Sequence, residues 1–406
     1  MRLLRHGFVT GPLLGALWMV VLAVTVTVAL SFATGGAYRP SIVGALGWGA
    51  LLGLGFAHVR RPVWLGLVPA AAVVVGGATL AGIGPVAGGE DVGTLGRIVA
   101  GGLTGGLFGL SMAAILGDVP AGRLTRHEFE EAVIRFLTGF GYIFFTAIVL
   151  IPFYVMVMTS LKNQAELRID PLDFSLDLSK GWDLFRSYEE LFTQFNFGTY
   201  LVNSFVISAV TVAITLLFAV PGAYAVARLR FRGQALFSRS ILLIYMVPMI
   251  VLALPIYIAF SLAELRNTLI GIVMIYPVTT IPVALYMLQG YFRGLPYEVE
   301  EAGLMDGLSR LAVIWKITLP LSLPALASVS LYVFMIAWNE FLLAFMLLDD
   351  PSKYTLTRGI ASLNSSEVPR QHLMAGSVIA TVPIMVLFLG LERFMTKGLT
   401  AGSVKG

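Results

Sequence analysis

Residues 295–307 read LPYEVEEAGLMDG, and residues 317–320 read ITLP. The first segment is acidic and lies between two long apolar stretches, so in a largely apolar chain it must face water. Pro296 suits the start of a helix, where acidic side chains are stabilised by about 0.3–1 kcal/mol each. Gly307 suits the end of that helix, and Ser309 suits the cap of a second one. The pattern predicts two short helices that meet at a glycine turn.

The composition indicates an integral membrane protein. Hydrophobic residues make up 57% of the 406 residues, charged residues make up only 12%, and the mean hydropathy is +0.86. This is too little charge to cover a soluble protein of this length. The absence of cysteine excludes disulfides, thiolate metal sites and thiol catalysis. The isoelectric point of 9.2 reflects basic residues beside apolar runs, which set membrane topology, so no nucleic-acid partner is expected.

The apolar runs predict an all-α, polytopic transmembrane helix bundle with about ten spans, since one span takes ~20 apolar residues in a helix. The approximate cores of the spans are 13–32, 42–58, 63–83, 98–116, 137–158, 200–226, 241–260, 269–288, 321–347 and 374–394. Most lysines and arginines fall in the connecting segments on the same side as Met1. By the positive-inside rule, both termini and the acidic segment are expected in the cytoplasm.

The chain is expected to divide into three parts. Residues 1–119 form a glycine-rich membrane region of four helices, whose role the sequence does not indicate. Residues 120–136 are charged and amphipathic, and they predict a cytoplasmic linker that forms a short surface helix. Residues 137–406 hold six helices and one sizeable outer loop at 162–197.

Three glycines of the first region, Gly101, Gly105 and Gly109, lie four residues apart. This spacing lets membrane helices approach closely. Two interpretations are open, namely packing inside a compact four-helix unit and a dimer interface. We favour packing inside the unit, because glycine is frequent in membrane helices in general.

Four stretches carry a family resemblance. They are the acidic segment with LP at 295–296, EAG at 301–303, DG at 306–307 and LP at 319–320, then GAYAVARLRFRG at 222–233, WNEF at 338–341 and GLTAGSVKG at 398–406. In order and spacing they resemble the permease subunits of ABC importers of the carbohydrate-uptake, maltose-permease type, over residues 137–406. The acidic segment resembles the EAA loop of that family. Gly303 departs from the pattern, which usually has alanine there, and should loosen the helix by ~1 kcal/mol.

The resemblance implies a six-helix type I importer core preceded by four extra spans, with a coupling helix near 294–319. It implies a sugar importer, with maltose- or trehalose-like oligosaccharides as the first expectation, in which ATP hydrolysis drives alternating access. The chain has no Gly-x-x-x-x-Gly-Lys-Ser/Thr motif, so this subunit is expected to be non-catalytic, without cofactor or metal, and ATP and magnesium are expected on two separate ATPase subunits. The other implied partners are a second permease subunit, an extracytoplasmic sugar-binding protein and the lipid of a prokaryotic cytoplasmic membrane.

The same resemblance implies the site residues. Contacts with the ATPase are expected at Glu300, Glu301, Ala302, Gly303, Leu304, Met305, Asp306, Gly307 and Leu308. In this segment Glu301 is expected to pair with a basic group of the ATPase, and Asp306 and Gly307 are expected to shape the turn. The C-terminal tail is expected to reach the ATPase interface through Thr400, Ala401, Gly402 and Lys405.

Candidate residues of the substrate path are Tyr245, Tyr276, Trp338, Asn339 and Glu340. The aromatic rings suit stacking on a sugar, but rings at helical spacing are also typical of packing. Glu340 is either a functional acid within the membrane or a side chain that reaches the outer interface.

Other classes of function are weighed against this one. An ABC permease for another solute, such as glycerol phosphate, is the nearest alternative. A secondary transporter needs ionisable residues near the middle of the membrane, and apart from Glu340 the predicted spans have none that is well placed. A membrane-embedded enzyme is disfavoured because the histidines lie at helix ends or in loops. They are His6, His58, His127 and His372.

Overall fold

The computed structural model of the protein describes residues 5–58, 64–116, 119–169, 175–365 and 367–400. Its regular structure is almost entirely helical, which confirms the predicted all-α class. The helices are α1 (Gly7–Thr34), α2 (Ile42–His58), α3 (Trp64–Leu80), α4 (Thr94–Leu116), α5 (Arg126–Ser160), α6 (Gln164–Ile169), α7 (Arg186–Gln194), α8 (Phe197–Arg228), α9 (Gln234–Tyr245), α10 (Met249–Leu262), α11 (Leu269–Gly294), α12 (Tyr297–Met305), α13 (Arg310–Val313), α14 (Leu319–Leu321), α15 (Leu323–Asn339), α16 (Leu342–Leu347), α17 (Leu356–Leu363) and α18 (Arg370–Thr400). Two short strands accompany them, β1 (Tyr38–Pro40) and β2 (Val86–Gly88).

Six of the described helices are long and apolar enough to cross a membrane, namely α1, α4, α5, α8, α11 and α18. The segments Arg310–Leu321 and Leu323–Asn339 pass the same test together as one span with a bend of 79°. Three further apolar helices, α2, α3 and α10, are shorter. The predicted total of about ten spans stays a prediction, because these three helices are shorter than the ~20 residues that a straight crossing takes.

Contacts group the chain into two compact units, Met1–Leu184 and Phe185–Gly406. Each unit has buried apolar clusters of its own, with Met19 and Phe108 in the first and Tyr276 in the second. The predicted domain limits at residues 119 and 136 stay predictions, because packing within one chain does not mark where a family domain begins.

Glycine contacts hold α1 against α2 in the first unit. A Cβ at Gly15 would lie 2.3 Å from the Gly49 carbonyl oxygen, and a Cβ at Gly53 would lie 2.4 Å from the Gly11 carbonyl oxygen. Only a hydrogen atom fits at these positions, so the two backbones touch. The four-residue spacing of the glycines in each helix was a signal for this contact in the sequence.

The glycines of α4 pack against α3 in the same way. A Cβ at Gly105 would lie 2.3 Å from the Ala71 carbonyl oxygen, and a Cβ at Gly109 would lie 2.9 Å from the Val68 Cα. A Cβ at Gly101 would likewise meet α3, with its nearest atoms between 2.5 and 2.8 Å. The favoured interpretation of these three glycines, packing within the four-helix region, is confirmed.

The two strands join the helix pairs of the first unit. β1 follows α1, β2 follows α3, and they pair antiparallel with Arg39 opposite Ala87. The sequence carries no signal for these strands, because three residues are too few for an alternating pattern.

The charged segment 120–136 does not form a separate surface helix. Thr125 caps α5, since its hydroxyl accepts a hydrogen bond from the Glu128 N–H at 3.2 Å and the Glu128 carboxylate accepts one from the Thr125 N–H at 2.8 Å. From this capping box α5 continues to Ser160 as one helix of 35 residues. The predicted short surface helix was wrong, because no glycine or proline between Arg126 and Thr138 interrupts the helix.

The second unit is built on α8, α11, α15 and α18, which pack against one another. The Thr215 and Thr280 hydroxyls lie 2.6 Å apart and join α8 to α11 by a buried hydrogen bond. Large side chains such as Phe197 and Phe292 are fully buried in this unit. The helices that flank the acidic segment therefore belong to one packed group.

Two of the predicted spans are interrupted in the second unit. The run 241–260 divides into α9 and α10 before Pro248, which has no N–H and disfavours helix in the residue before it. The run 321–347 divides after Asn339 into α15 and α16. There the Glu340 carboxylate accepts hydrogen bonds from the backbone N–H groups of Leu343 at 2.8 Å and Ala344 at 3.1 Å, and so starts a new helix. Each of these two apolar runs therefore forms two helices.

Candidate functional site

The acidic segment forms an elbow, defined here as residues 295–322, between α11 and α15. Its first arm is α12, which ends in a left-handed turn where Gly307 has a φ of +84°. The Gly307 N–H donates to the Leu304 carbonyl and the Leu308 N–H donates to the Gly303 carbonyl, both at 3.1 Å. This pair of hydrogen bonds is the Schellman motif, which satisfies the last carbonyls of a helix. The predicted helix end at Gly307 is confirmed.

The second arm of the elbow begins at Ser309. Its hydroxyl accepts a hydrogen bond from the Ala312 N–H at 3.3 Å, which confirms the predicted cap. α13 continues into one wide π-helical turn, Ile314–Thr318, and then into α14. At Ser322 the chain bends by 79° into α15. The elbow thus turns away from the direction of the span that follows it.

Glu300 points from α12 into the protein. Its carboxylate accepts hydrogen bonds from the Tyr224 hydroxyl at 3.2 Å and from the Thr318 hydroxyl at 3.0 Å. It also forms an ion pair with Arg228, with 3.3 Å between Nε and Oε1, and only 7% of the Glu300 side chain is exposed. The carboxylate therefore connects α12 both to α8 and to the second arm of the elbow.

Arg228, the last residue of α8, completes this connection. Its side chain is 1% exposed. Nη2 donates to the Leu295 carbonyl at 2.7 Å, and the guanidinium lies over the Tyr297 ring at 4.0 Å. A buried charge requires such partners, because an unpaired one is strongly destabilising.

The opposite face of α12 is exposed to solvent. Glu301, Ala302 and Asp306 are exposed, and 88% of Met305 is accessible. Leu304 and Leu308, which were expected to face a partner with Met305, are half-buried. Leu311 and Trp315 on the second arm are exposed apolar side chains that sequence reasoning did not select. The exposed surface of the elbow therefore carries apolar as well as acidic side chains.

Gly303 lies on the buried side of α12, against the second arm. A Cβ at this position would meet the Ile317 Cδ1 at 2.5 Å, and Val313 and Leu308 side chains at 3.5 Å. The glycine that departs from the family pattern therefore sits where the two arms approach each other.

Sequence reasoning missed Tyr224, Arg228 and Thr318 as parts of this site. Tyr224 and Arg228 lie within the family-like stretch 222–233, and Thr318 lies within ITLP at 317–320. The signal in the sequence was that these stretches occur together with the acidic segment. A buried acid needs basic and hydroxyl partners, and these stretches supply them.

Comparison with known proteins identifies the family. A family model described as "Binding-protein-dependent transport system inner membrane component" matches residues 217–400. The inner membrane ABC transporter permease protein YcjP of Escherichia coli K12 is 37% identical over 270 residues, which are 66% of this chain and 95% of that protein. The chain belongs to the family of binding-protein-dependent ABC transporter permeases.

Two further relatives describe the extent of the similarity. The trehalose/maltose transport system permease protein MalG of Thermococcus litoralis is 33% identical over 281 residues, 68% of this permease and 99% of that protein. A chain from the crystal structure of a bacterial ABC transporter that imports the acidic polysaccharide alginate has a TM-score of 0.57 at 22% identity, and covers 67% of this permease and 98% of its own length. The fold is therefore shared. About one third of the permease lies outside such alignments, and its assignment to residues 1–119 stays a prediction.

The candidate substrate-path residues differ in burial and in their contacts. Tyr276 is buried in the core of the second unit, where its side chain interacts with that of Glu340. Trp338 is also buried, where its Nε1–H donates to the Ala380 carbonyl at 3.1 Å and its ring stacks on Phe334 with 5.5 Å between centroids. Asn339 is exposed and donates to the Met335 carbonyl of its own helix at 2.9 Å. Sugar contact by these residues stays a prediction.

The remaining predicted site residues are placed as follows. Glu340 follows the last residue of α15, its carboxylate accepts hydrogen bonds from backbone N–H groups in the first turn of α16, and its backbone carbonyl accepts one from the Thr357 hydroxyl at 2.6 Å. Tyr245 ends α9 and Thr400 ends α18, and the side chains of both lie outside the described part of the structure. The tail residues predicted to contact the ATPase, Ala401, Gly402 and Lys405, lie outside the described residues altogether.

A second acid of this unit with side-chain partners lies far along the chain from the elbow. His372, at the start of α18, meets the Glu190 carboxylate of α7 at 2.7 Å. Burial acts to raise the pKa of Glu190, but hydrogen bonds from Arg186 and His372 outweigh it and hold this pKa below its ordinary value. The pair fastens α7 to α18.

Proposed function

We propose that this permease is one of two transmembrane subunits of an ATP-driven sugar importer, and that it couples ATP hydrolysis by separate ATPase subunits to alternating access. The observation that carries the proposal is the two-sided elbow of an ABC permease. Its inner face is fastened to α8 by Glu300, and its outer face presents Glu301, Met305 and Asp306 to water. Such a surface suits insertion into a groove of a partner protein.

The ATPase subunits would supply the chemistry. The chain has no Gly-x-x-x-x-Gly-Lys-Ser/Thr loop that would cradle phosphates, so ATP and magnesium belong to a pair of partner subunits, and this permease is non-catalytic. Glu301 pairs with a basic group of the ATPase, while Met305 enters its groove. The tail, with Thr400, Ala401, Gly402 and Lys405, reaches the interface of the ATPase pair.

The proposed cargo is a sugar, with maltose- or trehalose-like oligosaccharides first. The relative from Thermococcus litoralis supports this, as does the trehalose transport system permease protein SugB of Mycobacterium tuberculosis, which is 35% identical over 225 residues. The permease would work with a second permease subunit and an extracytoplasmic sugar-binding protein. Its place is a prokaryotic cytoplasmic membrane with both termini inside, a topology that the arginines at 228, 230 and 232 support.

A crosslinking experiment tests the elbow. Because the natural chain has no cysteine, Met305→Cys introduces a single thiol at an exposed position of α12. After crosslinking in native membranes, we expect one adduct with a nucleotide-hydrolysing subunit. The matched control is Lys353→Cys, in the turn between α16 and α17, which should give no such adduct. If Met305→Cys never captures an ATPase while the variant is stable, the proposal is refuted.

A transport experiment tests the cargo. The complex that copurifies with the permease, reconstituted in liposomes with its binding protein, should take up trehalose or maltose only when ATP is supplied. Uptake of glycerol phosphate instead would keep the ABC mechanism and replace the sugar. Uptake that follows a proton or sodium gradient without ATP would replace the mechanism by secondary transport.

A further inference from the structure

We infer that Arg228, Tyr224, Glu300 and Thr318 form a rigid joint, so that the C-terminal end of α8 moves as one body with the coupling helix α12. The inference rests on the proposed function and deepens it. The joint adds a route for motion besides the covalent connections of α12 to α11 and α15.

The Glu300 carboxylate of α12 is bound by side chains of two other segments. Two of its partners come from the last two turns of α8, namely the Tyr224 hydroxyl, which donates a hydrogen bond at 3.2 Å, and the Arg228 guanidinium, which forms an ion pair at 3.3 Å. The third, the Thr318 hydroxyl at 3.0 Å, comes from the second arm of the elbow. All these side chains are buried. One carboxylate therefore connects three segments, namely α12, the end of α8 and the second arm of the elbow.

Separating these segments would be costly. Arg228 also holds the start of the elbow, through its hydrogen bond to the Leu295 carbonyl and its contact with the Tyr297 ring. If α12 moved away from α8, an arginine and a glutamate would lose their partners inside the protein, which is strongly unfavourable. Motion of α12 is therefore expected to carry the end of α8 with it.

The covalent connections of α12 alone do not force it to move together with the end of α8. α12 is joined to α11 only through Leu295 and Pro296, and to α15 through the left-handed turn at Gly307 and the bend at Ser322. Turns and bends of this kind are where helices change direction relative to one another. The buried joint removes that freedom, because Thr318 lies beyond the turn and still binds the carboxylate of α12.

The joint gives two adjacent acids different roles. Glu300 is a positioning residue that acts through Arg228, and it is not available to a partner protein. Glu301 is exposed and is left to the ATPase. The two form a matched pair for experiments, since the same change to glutamine can be made on the same helix.

Distance measurements between spin labels test the rigid body. Exposed positions Leu217 on α8, Leu254 on α10 and Glu298 on α12 accept single cysteines in this cysteine-free chain. In the complex that copurifies with the permease, ATP binding should change the distance between labels at 254 and 298. It should leave the distance between labels at 217 and 298 unchanged. A change in both distances overturns the inference.

A second measurement needs no ATPase. In the nucleotide-free permease in nanodiscs, Glu300→Gln should broaden the 217–298 distance distribution, with a roughly tenfold larger detached fraction, because a charge-assisted hydrogen-bonded contact is lost. Glu301→Gln should leave the distribution as in the wild type. An unchanged distribution in Glu300→Gln also overturns the inference. If ATP changes neither distance in the complex, the proposed function fails, and this second measurement still decides the joint.

A milder variant covers the case in which Glu300→Gln does not fold. Thr318→Val keeps the shape and the ion pair but removes one donor, and it should broaden the same distribution to a smaller extent. In transport assays, both joint variants should retain the ATPase on copurification while sugar moved per ATP falls several-fold. Glu301→Gln should instead reduce the amount of ATPase that copurifies. Equal effects of the changes at 300 and 301 on copurification would contradict the separate roles.

Discussion

Replacing Gly307 by alanine changes the backbone preference of the elbow turn without adding a clash. Gly307 has a φ of +84°, and a Cβ built on it has no atom within 4 Å. The whole effect of Gly307→Ala is therefore conformational. Gly290 in α11 is the matched control, because its Cβ position is equally open but its φ is not positive.

The magnitudes follow from the two conformations. An L-residue in the left-handed region costs about 1–2 kcal/mol relative to glycine, so Gly307→Ala should destabilise the turn by that amount. In a helix interior alanine is favoured over glycine by about 1 kcal/mol, so Gly290→Ala should be neutral or stabilising. Gly307→Asn should fall between them, because asparagine tolerates the left-handed region better than other residues do.

Hydrogen exchange measures this difference locally. The Gly307 and Leu308 N–H groups are held by the hydrogen bonds that close α12, and they exchange when the turn opens. Each 1.4 kcal/mol is about a tenfold change in an equilibrium constant, so Gly307→Ala should speed exchange in a peptide spanning 303–310 by roughly 5- to 30-fold. Gly290→Ala should leave exchange in that peptide unchanged.

The outcome that refutes the reasoning is specific. If Gly307→Ala exchanges as slowly as the wild type, a positive φ is not what the turn requires. If Gly307→Asn is as damaging as Gly307→Ala, the effect depends on added atoms and not on backbone conformation, contrary to the open space around this glycine.

Two further predictions concern other contacts of the second unit. Gly303→Ala should stabilise α12 by up to about 1 kcal/mol, because the nearest atom is the end of the flexible Ile317 side chain; a lowered melting temperature of the purified permease would show that Ile317 cannot move aside. The pKa of Glu190 lies below its ordinary value of 4.5 because the hydrogen bonds from Arg186 and His372 outweigh the effect of burial. Such a group stabilises the fold above its unfolded pKa and loses this as pH falls through its folded pKa. The equilibrium constant for opening of α7, measured by hydrogen exchange relative to the intrinsic rate at each pH, should therefore rise below pH 4.5 in the wild type. Glu190→Gln should remove this dependence.

Local features of the elbow could be predicted from its own residues. The end of α12 at Gly307 and the cap at Ser309 depend on contacts between residues at most five positions apart. The glycine packing in the first unit could likewise be predicted, since residues four apart, such as Gly101, Gly105 and Gly109, lie on the same face of a helix. The predicted separate surface helix at 120–136 was wrong, because an amphipathic segment and the apolar span after it can form one continuous helix, as they do in α5.

By itself, the sequence determined that this chain is a helical membrane protein, where α12 begins and ends, and which family it resembles, because composition, caps and turns act over short distances along the chain. Only the tertiary structure decided which acid of the elbow faces inward. Glu300 and Glu301 are adjacent and chemically alike, but the partners of Glu300 lie 76 residues before it at Tyr224 and 18 residues after it at Thr318. No local pattern distinguishes the two acids, because the distinction arises only when α8 and the second arm of the elbow meet around one carboxylate.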